Sequence, residues 1–180
     1  AAGLESGAIT PSSRIDTRPG FIKVGRKVIE DHHHYGVISP TKLLTKSSNV
    51  GAVKVAQSID RDTLHDLLFE VGIGQTSHSG MPGEARGRLM PASKWRELDV
   101  ATLAFGYGAS TNLLQLAAAY SVIAANGIKR PVSMVPVVGN PGGKRILSAR
   151  TASQLREMLE TVVQAGGTAT RAQVPGYRVA

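Results

Sequence analysis

The chain has 180 residues, which is enough for one ordinary domain with its own core. Hydrophobic residues make up 42% and charged residues 19%, a composition that excludes an intrinsically disordered chain. Cysteine is absent, which excludes disulfides and thiol chemistry, and no apolar run approaches the roughly 20 residues of a membrane span. The net charge of +8 suits an anionic partner, but the basic residues are scattered without interleaved aromatics, which argues against nucleic acid as a partner.

The predicted elements in chain order are mainly helices. Residues 1–7 predict the end of a helix, and residues 20–30 predict a hairpin that turns at Gly25-Arg26. Capping residues and apolar periodicity then predict helices that begin at Ser39-Pro40, over 49–58, over 62–71, over 94–105, from Asn112 to Asn126 and over 148–165. Strands are predicted over 131–138 and from residue 177 onward. We therefore expect an α+β fold without βαβ alternation, which argues against a nucleotide-binding fold.

Apolar residues form a stripe along each of the two longest predicted helices. The spacing i, i+3, i+4, i+7 predicts that each stripe is a face that needs a packing partner. The first stripe consists of Leu113, Leu116, Ala117, Tyr120, Ile123 and Ala124. The second consists of Leu155, Met158, Leu159, Val162 and Val163.

The run His32-His33-His34 invites a metal site, but neighbouring residues on an extended chain point to opposite faces. At most two of the three imidazoles could meet one ion, and no cysteine, His-x-x-x-His pattern or carboxylate cluster completes a ligand set. We therefore predict a solvated loop and no metal.

Two short motifs can be interpreted either structurally or chemically. Ser47-Ser48-Asn49 lies between two predicted helices, where serine is usually a cap. The chemical alternative is that a hydroxyl and an amide at a helix terminus pass a proton and orient a carbonyl. Gly106-Tyr107-Gly108 is either a helix stop or a tight bend that turns an aromatic ring toward a ligand.

The order and spacing of these motifs resemble the class B penicillin-binding proteins of the division-specific type, and the resemblance covers essentially the whole chain. The matching segments are Leu4-Glu5-Ser6-Gly7, Leu44 to Gly51 with its Ser-x-Asn, Pro82-Gly83-Glu84, Leu103 to Gly108, Leu114 to Ala117 and Gly176 to Ala180. Leu113 departs from the pattern, because the family usually has proline there. Thr111-Asn112 also departs, since Val-Thr is usual.

The resemblance implies the transpeptidase or serine β-lactamase-like α+β fold, here mainly its helical part with short strands. Residues 1–180 would be a partial transpeptidase domain, because the chain lacks an initiator Met and both ends look like cuts. We expect the nucleophile motif Ser-x-x-Lys upstream of Ala1, not within the chain, and the Lys-Thr-Gly strand downstream of Ala180. Without that sheet, the stripes of both long helices would be exposed.

In such a family a serine attacks the D-Ala–D-Ala carbonyl of a peptidoglycan stem peptide and transfers the acyl group during septal wall synthesis. The implied catalytic residues are Ser47, as a proton relay, and Asn49, which binds the substrate amide. Ser48, Tyr107 and Gly108 are the implied substrate-binding residues. No cofactor is implied.

The implied partners are stem peptides, β-lactams and other cell-wall synthesis proteins, at the periplasmic face of the inner membrane. We expect the 180-residue chain alone to be inactive and not to bind penicillin covalently. Two alternatives stay open: a non-catalytic module of the same fold that binds muropeptide or a partner, and a basic nucleic-acid module with salt-dependent binding.

Overall fold

Seven α-helices carry most of the regular structure in the computed structural model, which describes residues 1–180. They are α1 Ala2–Glu5, α2 Pro40–Lys46, α3 Asn49–Gln57, α4 Arg61–Glu70, α5 Glu97–Leu103, α6 Leu113–Ala124 and α7 Ala149–Val163. Short 3₁₀ turns occur at Ala92–Lys94 and Thr170–Ala172. None of the helices combines the length and apolarity needed to cross a bilayer.

The strands are short and form three separate antiparallel pairs. They are β1 Ile15–Asp16, β2 Phe21–Val24, β3 Lys27–Glu30, β4 Val37–Ile38, β5 Ile128–Lys129 and β6 Lys144–Arg145. The pairs are β1 with β4, β2 with β3, and β5 with β6. The predicted hairpin over 20–30 is thus confirmed, as is the mainly helical α+β class.

Polar caps set where the helices begin, as the sequence predicts. The Ser39 hydroxyl accepts a hydrogen bond from the Lys42 N–H at 3.2 Å, with Pro40 in the first helical position. The Asn112 side chain accepts from the Gln115 N–H at 2.8 Å at the start of α6. The Ser148 hydroxyl caps α7 by accepting from the Thr151 N–H at 3.1 Å.

The core divides into three small apolar clusters, of which the first joins helices to the hairpin. The first packs Val24 and Ile29 of the hairpin against Val53 of α3 and Ala101 of α5. The second surrounds the buried Trp95, and the third joins α6 and α7. The third cluster consists of Val122, Leu147 and Leu155. The hairpin, α3 and α5 therefore share one packed unit.

Two strand predictions are wrong in this structure. Residues 131–138 form no strand, and Val135, Val137 and Val138 are 69%, 51% and 100% exposed. β-Branched residues favour strands only where a neighbouring strand and a packing surface exist, and this segment has neither. Residues 177–180 also form no strand, because none of the three sheets provides a neighbour.

The two apolar stripes have different fates. Leu113, Leu116 and Tyr120 of α6 are 86%, 41% and 53% exposed, as expected for a face without its partner. The expectation is wrong for α7, where Leu155 and Met158 are buried. This difference arises because α7 packs against both α2 and α6, which cover its stripe.

Candidate active site

Ser47 forms the joint between α2 and α3 and presents its hydroxyl to solvent. It is the C-cap of α2, in the left-handed conformation with φ 53° and ψ 48°. Its N–H donates to the Leu44 carbonyl at 3.1 Å, which closes the helix. A side chain in this conformation is strained by about 1–2 kcal/mol, and strain of this kind often accompanies functional positions.

Ser48 is buried and acts as an anchor. Only 2% of its surface is exposed. Its hydroxyl accepts from the Gly51 N–H at 2.9 Å and donates to Asp31 Oδ2 at 2.7 Å. The cap interpretation of this serine therefore describes its role in the structure, while its predicted contact with substrate stays a prediction.

Asn49 is half-buried at the start of α3. Its Nδ2 donates to the Glu30 carbonyl oxygen at 3.1 Å, at the end of β3. That bond fixes the amide plane and leaves Oδ1 without an intramolecular partner. The Ser47 hydroxyl is likewise unpartnered. The joint thus exposes one hydroxyl and one amide oxygen that are free to bind a ligand.

The end of α2 is fixed to α7 and to the loop after it. The hydroxyls of Thr45 and Thr161 lie 2.6 Å apart. Lys46 Nζ donates to the Gly166 carbonyl at 2.6 Å, and the Tyr35 hydroxyl donates to the Lys46 carbonyl at 3.4 Å. These contacts hold Ser47 from the helical side.

A cleft of about 470 Å³ opens beside Ser47. Three segments meet there: the end of α2, the loop before β4 and the loop after α7. The lining residues are His32, His33, Tyr35, Lys46, Ser47, Gly166, Gly167 and Thr168. No local pattern in the sequence predicts this convergence, because the contacts between α2 and the region of α7 join residues more than 100 positions apart, as Lys46 and Gly166 do.

The three histidines do not act together. His32 and His33 line the cleft, whereas the His34 ring lies against Gly20. The His33 and Tyr35 rings form an edge contact with centroids 6.1 Å apart. No group of three His, Cys, Asp or Glu side chains is arranged to hold a metal ion.

Tyr107 and Gly108 lie in the turn that follows α5. The Tyr107 ring is 69% exposed, and its centroid lies 5.7 Å from that of Phe105. Gly106 and Gly108 have φ values of 98° and 91°, which only glycine adopts readily. No hydrogen bond joins Tyr107 to Ser47 or Asn49. That these residues line one substrate site stays a prediction.

Glu84 fixes the long loop over 72–88. Its carboxylate accepts hydrogen bonds from the Ser77 N–H at 2.6 Å, the Ser77 hydroxyl at 2.9 Å and the Ser79 hydroxyl at 3.0 Å. These donors hold the pKa of Glu84 below its ordinary value, and the Ser77 N–H contributes most to that shift. The acidic residue of Pro82-Gly83-Glu84 is therefore a local clamp.

The expectation that residues 1–180 contain no Ser-x-x-Lys is wrong as a statement about sequence, because Ser39-Pro40-Thr41-Lys42 fits the pattern. The structure explains this match as a helix start. The Ser39 hydroxyl accepts from the Lys42 backbone N–H, and the Lys42 side chain is exposed without a hydrogen bond to Ser39. An acyl-transfer nucleophile needs a base beside its hydroxyl, which Ser39 lacks.

The fold is that of a known domain class. The penicillin-binding protein transpeptidase domain matches residues 1–180, and the chain belongs to that family. It is 37% identical over 179 residues to a probable peptidoglycan D,D-transpeptidase, PenA, of Neisseria flavescens, covering 99% of this chain and 44% of the relative. It is also 37% identical over 177 residues to the peptidoglycan D,D-transpeptidase FtsI of Buchnera aphidicola, covering 98% of this chain and 31% of that protein.

Solved structures agree with the sequence comparison. The transpeptidase domain of Burkholderia pseudomallei penicillin-binding protein 3 superposes with a TM-score of 0.94 at 37% identity. The match covers 98% of this chain and 54% of that domain. The predicted penicillin-binding-protein fold is thus confirmed. The chain therefore spans 44% of the length of the first of these curated relatives and 31% of the length of the second.

Proposed function

We propose that this chain is the central part of a serine D,D-transpeptidase that cross-links peptidoglycan stem peptides by acyl transfer from D-Ala–D-Ala. The observation that carries this proposal is the α2–α3 joint in a chain whose full length matches the transpeptidase family. There the Ser47 hydroxyl and Asn49 Oδ1 are both free, and Ser47 lines an open cleft of about 470 Å³.

Each residue of the joint has a chemical task in this reaction. A hydroxyl both donates and accepts, so Ser47 passes the proton between the attacking serine and the departing D-Ala nitrogen. Asn49 Oδ1 accepts a hydrogen bond from a substrate amide, while its Nδ2 stays on the Glu30 carbonyl. The nucleophile and the Lys-Thr-Gly strand belong to sequence on either side of these residues. β-Lactams acylate the same nucleophile in place of the stem peptide.

The substrate sets the place of action. Peptidoglycan lies outside the cytoplasm, so the domain works on that side of the membrane. We assign it to the periplasmic face of the inner membrane, held by an anchor elsewhere in the protein. We further propose septal synthesis as the process, with other cell-wall synthesis proteins as partners, because the sequence resembles the division-specific type of the family.

The test uses a longer protein that includes about twenty additional residues of the natural sequence at each end, where the Ser-x-x-Lys and Lys-Thr-Gly motifs should lie. We call it the extended protein. The extended protein should form a stable adduct with a fluorescent penicillin, whereas the 180-residue chain should form none. Ser47→Ala in the extended protein should slow labelling on the order of a hundred-fold. Ser58→Ala is the matched control, because Ser58 caps the opposite end of α3. Labelling of the 180-residue chain, or equal rates for the two variants, would contradict the proposal.

A binding module without turnover is the remaining alternative. It requires flanking sequence that lacks Ser-x-x-Lys and Lys-Thr-Gly. In that case the extended protein would bind a soluble muropeptide in a calorimetric titration and would never become acylated.

A further inference from the structure

The residue pair at the end of β3 holds the Ser47-Ser48-Asn49 joint at three points. The Glu30 carbonyl accepts from Asn49 Nδ2 at 3.1 Å. The two carboxylate oxygens of Asp31 accept from the Ser48 hydroxyl at 2.7 Å and from the Val50 N–H at 2.9 Å. We propose that Asp31 is a positioning residue, whose carboxylate fixes the conformation in which Ser47 and Asn49 face the substrate. This inference rests on the proposed function.

The Asp31 contacts enclose the catalytic segment. Ser48 precedes Asn49 and Val50 follows it, so one carboxylate holds the side chain of the residue before Asn49 and the backbone N–H of the residue after it. Both bonds are charge-assisted, and such bonds are about twice as strong as neutral ones. The negative charge also lies at the N-terminus of α3, where the helix dipole favours it.

Burial makes the contact stronger than a surface hydrogen bond. Ser48 is 2% exposed, and its hydroxyl also accepts from the Gly51 N–H at 2.9 Å. Losing the carboxylate would leave a buried hydroxyl proton and the Val50 N–H without acceptors. The segment would then relax toward another conformation to recover those bonds.

The two helices at the joint have separate anchors, which is why the joint needs a clamp. α2 is tied to α7 and its loop through Thr45 and Lys46. α3 is tied to the hairpin, whose Ile29 packs in the cluster that contains Val53. Between them lies the left-handed Ser47, a single strained residue. Because Asp31 follows the packed hairpin and holds Ser48 and Val50, it restricts the movement of the segment next to Ser47.

The test compares Asp31→Ala, Asp31→Asn and Ser48→Ala in the extended protein. Acylation by penicillin is separated into the binding constant and the acylation rate constant, per folded molecule. Asp31→Ala should slow acylation on the order of ten- to a hundred-fold with binding unchanged within about two-fold, because misplaced groups reduce the rate of the chemical step. Asp31→Asn keeps one acceptor oxygen and should recover part of the rate.

A double-mutant cycle and a matched control separate positioning from general stability. Asp31 and Ser48 share one hydrogen bond, so the double variant should be far less impaired than the product of the two single effects. Asp62→Ala removes an exposed carboxylate from the first turn of α4 and should leave acylation unchanged. Independent effects, or a loss in Asp31→Ala that follows only the folded fraction, would overturn the proposal.

Amide hydrogen exchange tests the clamp even if no acylation occurs at all, the outcome that would count against the proposed function alone. The Val50 N–H should exchange at least ten-fold faster in Asp31→Ala, while amides in the middle of α7 keep their rates. Unchanged exchange at Val50 would refute the positioning role independently of any catalysis.

Discussion

Ser47→Gly should separate the structural cost of the candidate active site from its chemistry. Ser47 has φ 53° and ψ 48°, and a side chain in this region costs about 1–2 kcal/mol that glycine avoids. Glycine in turn makes the unfolded chain more flexible, which costs about 0.5–1 kcal/mol. The net expectation is a stabilisation of about 0.5–1 kcal/mol, or about 1–4 °C in Tm for a domain of this size.

The same substitution removes the hydroxyl that we assign to proton transfer, so acylation should slow on the order of a hundred-fold. Urea denaturation of the extended protein and fluorescent penicillin labelling measure the two effects on one sample. Ser47→Ala is the matched control, because it deletes the hydroxyl and keeps the strain. It should lose labelling equally without gaining stability. A destabilised Ser47→Gly variant, or one that labels at the rate of the parent, would refute this reasoning.

Three further changes test other parts of the structure. Leu147→Ala, at 2% exposure, should destabilise the chain by about 2–5 kcal/mol in denaturant titrations, whereas Val138→Ala at 100% exposure should change stability by less than about 0.5 kcal/mol. Ser39→Ala should cost about 0.5–2 kcal/mol as a lost N-cap but leave labelling of the extended protein intact; abolished labelling would make Ser39 a nucleophile. The pKa of Glu84 is depressed in the folded state, so its contribution is present above the ordinary glutamate range and is lost as pH falls through the folded value. Protease cleavage within 72–88 should therefore rise as the pH falls below the ordinary glutamate range, and Glu84→Gln should be cleaved readily already at neutral pH; a pH-independent loop would contradict this.

The helix starts could be predicted from the sequence because their causes are local. Ser39, Asn112 and Ser148 each bond to an N–H three residues ahead, so the sequence around the cap contains both partners. The same local reasoning predicts that Ser47-Ser48-Asn49 lies at a joint between two helices, whereas its catalytic interpretation rests on the resemblance to the family. Local patterns also explain the false match at Ser39, because a cap followed by lysine looks like a nucleophile motif in sequence.

The contacts that position the candidate site could not be predicted, because they join distant segments. Asp31 lies 17 residues before Ser48, and Lys46 lies 120 residues before Gly166. No periodicity or cap relates such pairs, and only packing of the hairpin, α2, α3 and α7 brings them together. The valines over 131–138 show the converse error, since local propensity predicted a strand where the fold provides no neighbour.

α6 shows how one buried polar residue decides which face of a helix is covered. Gln115 is 1% exposed, and its amide donates to the carbonyl oxygens of Gln75 and Arg86. Its side-chain oxygen accepts from the Asn112 N–H and the Thr111 hydroxyl, so every polar atom of this amide is satisfied. Turning the helix to bury its leucine stripe would break all four bonds and leave a buried amide unpaired, at about 1–3 kcal/mol for each lost partner. The periodic spacing of apolar residues in α6 therefore identifies a face that requires a packing partner. The hydrogen bonds of Gln115 decide that a different face of α6 is the one covered by the rest of this chain.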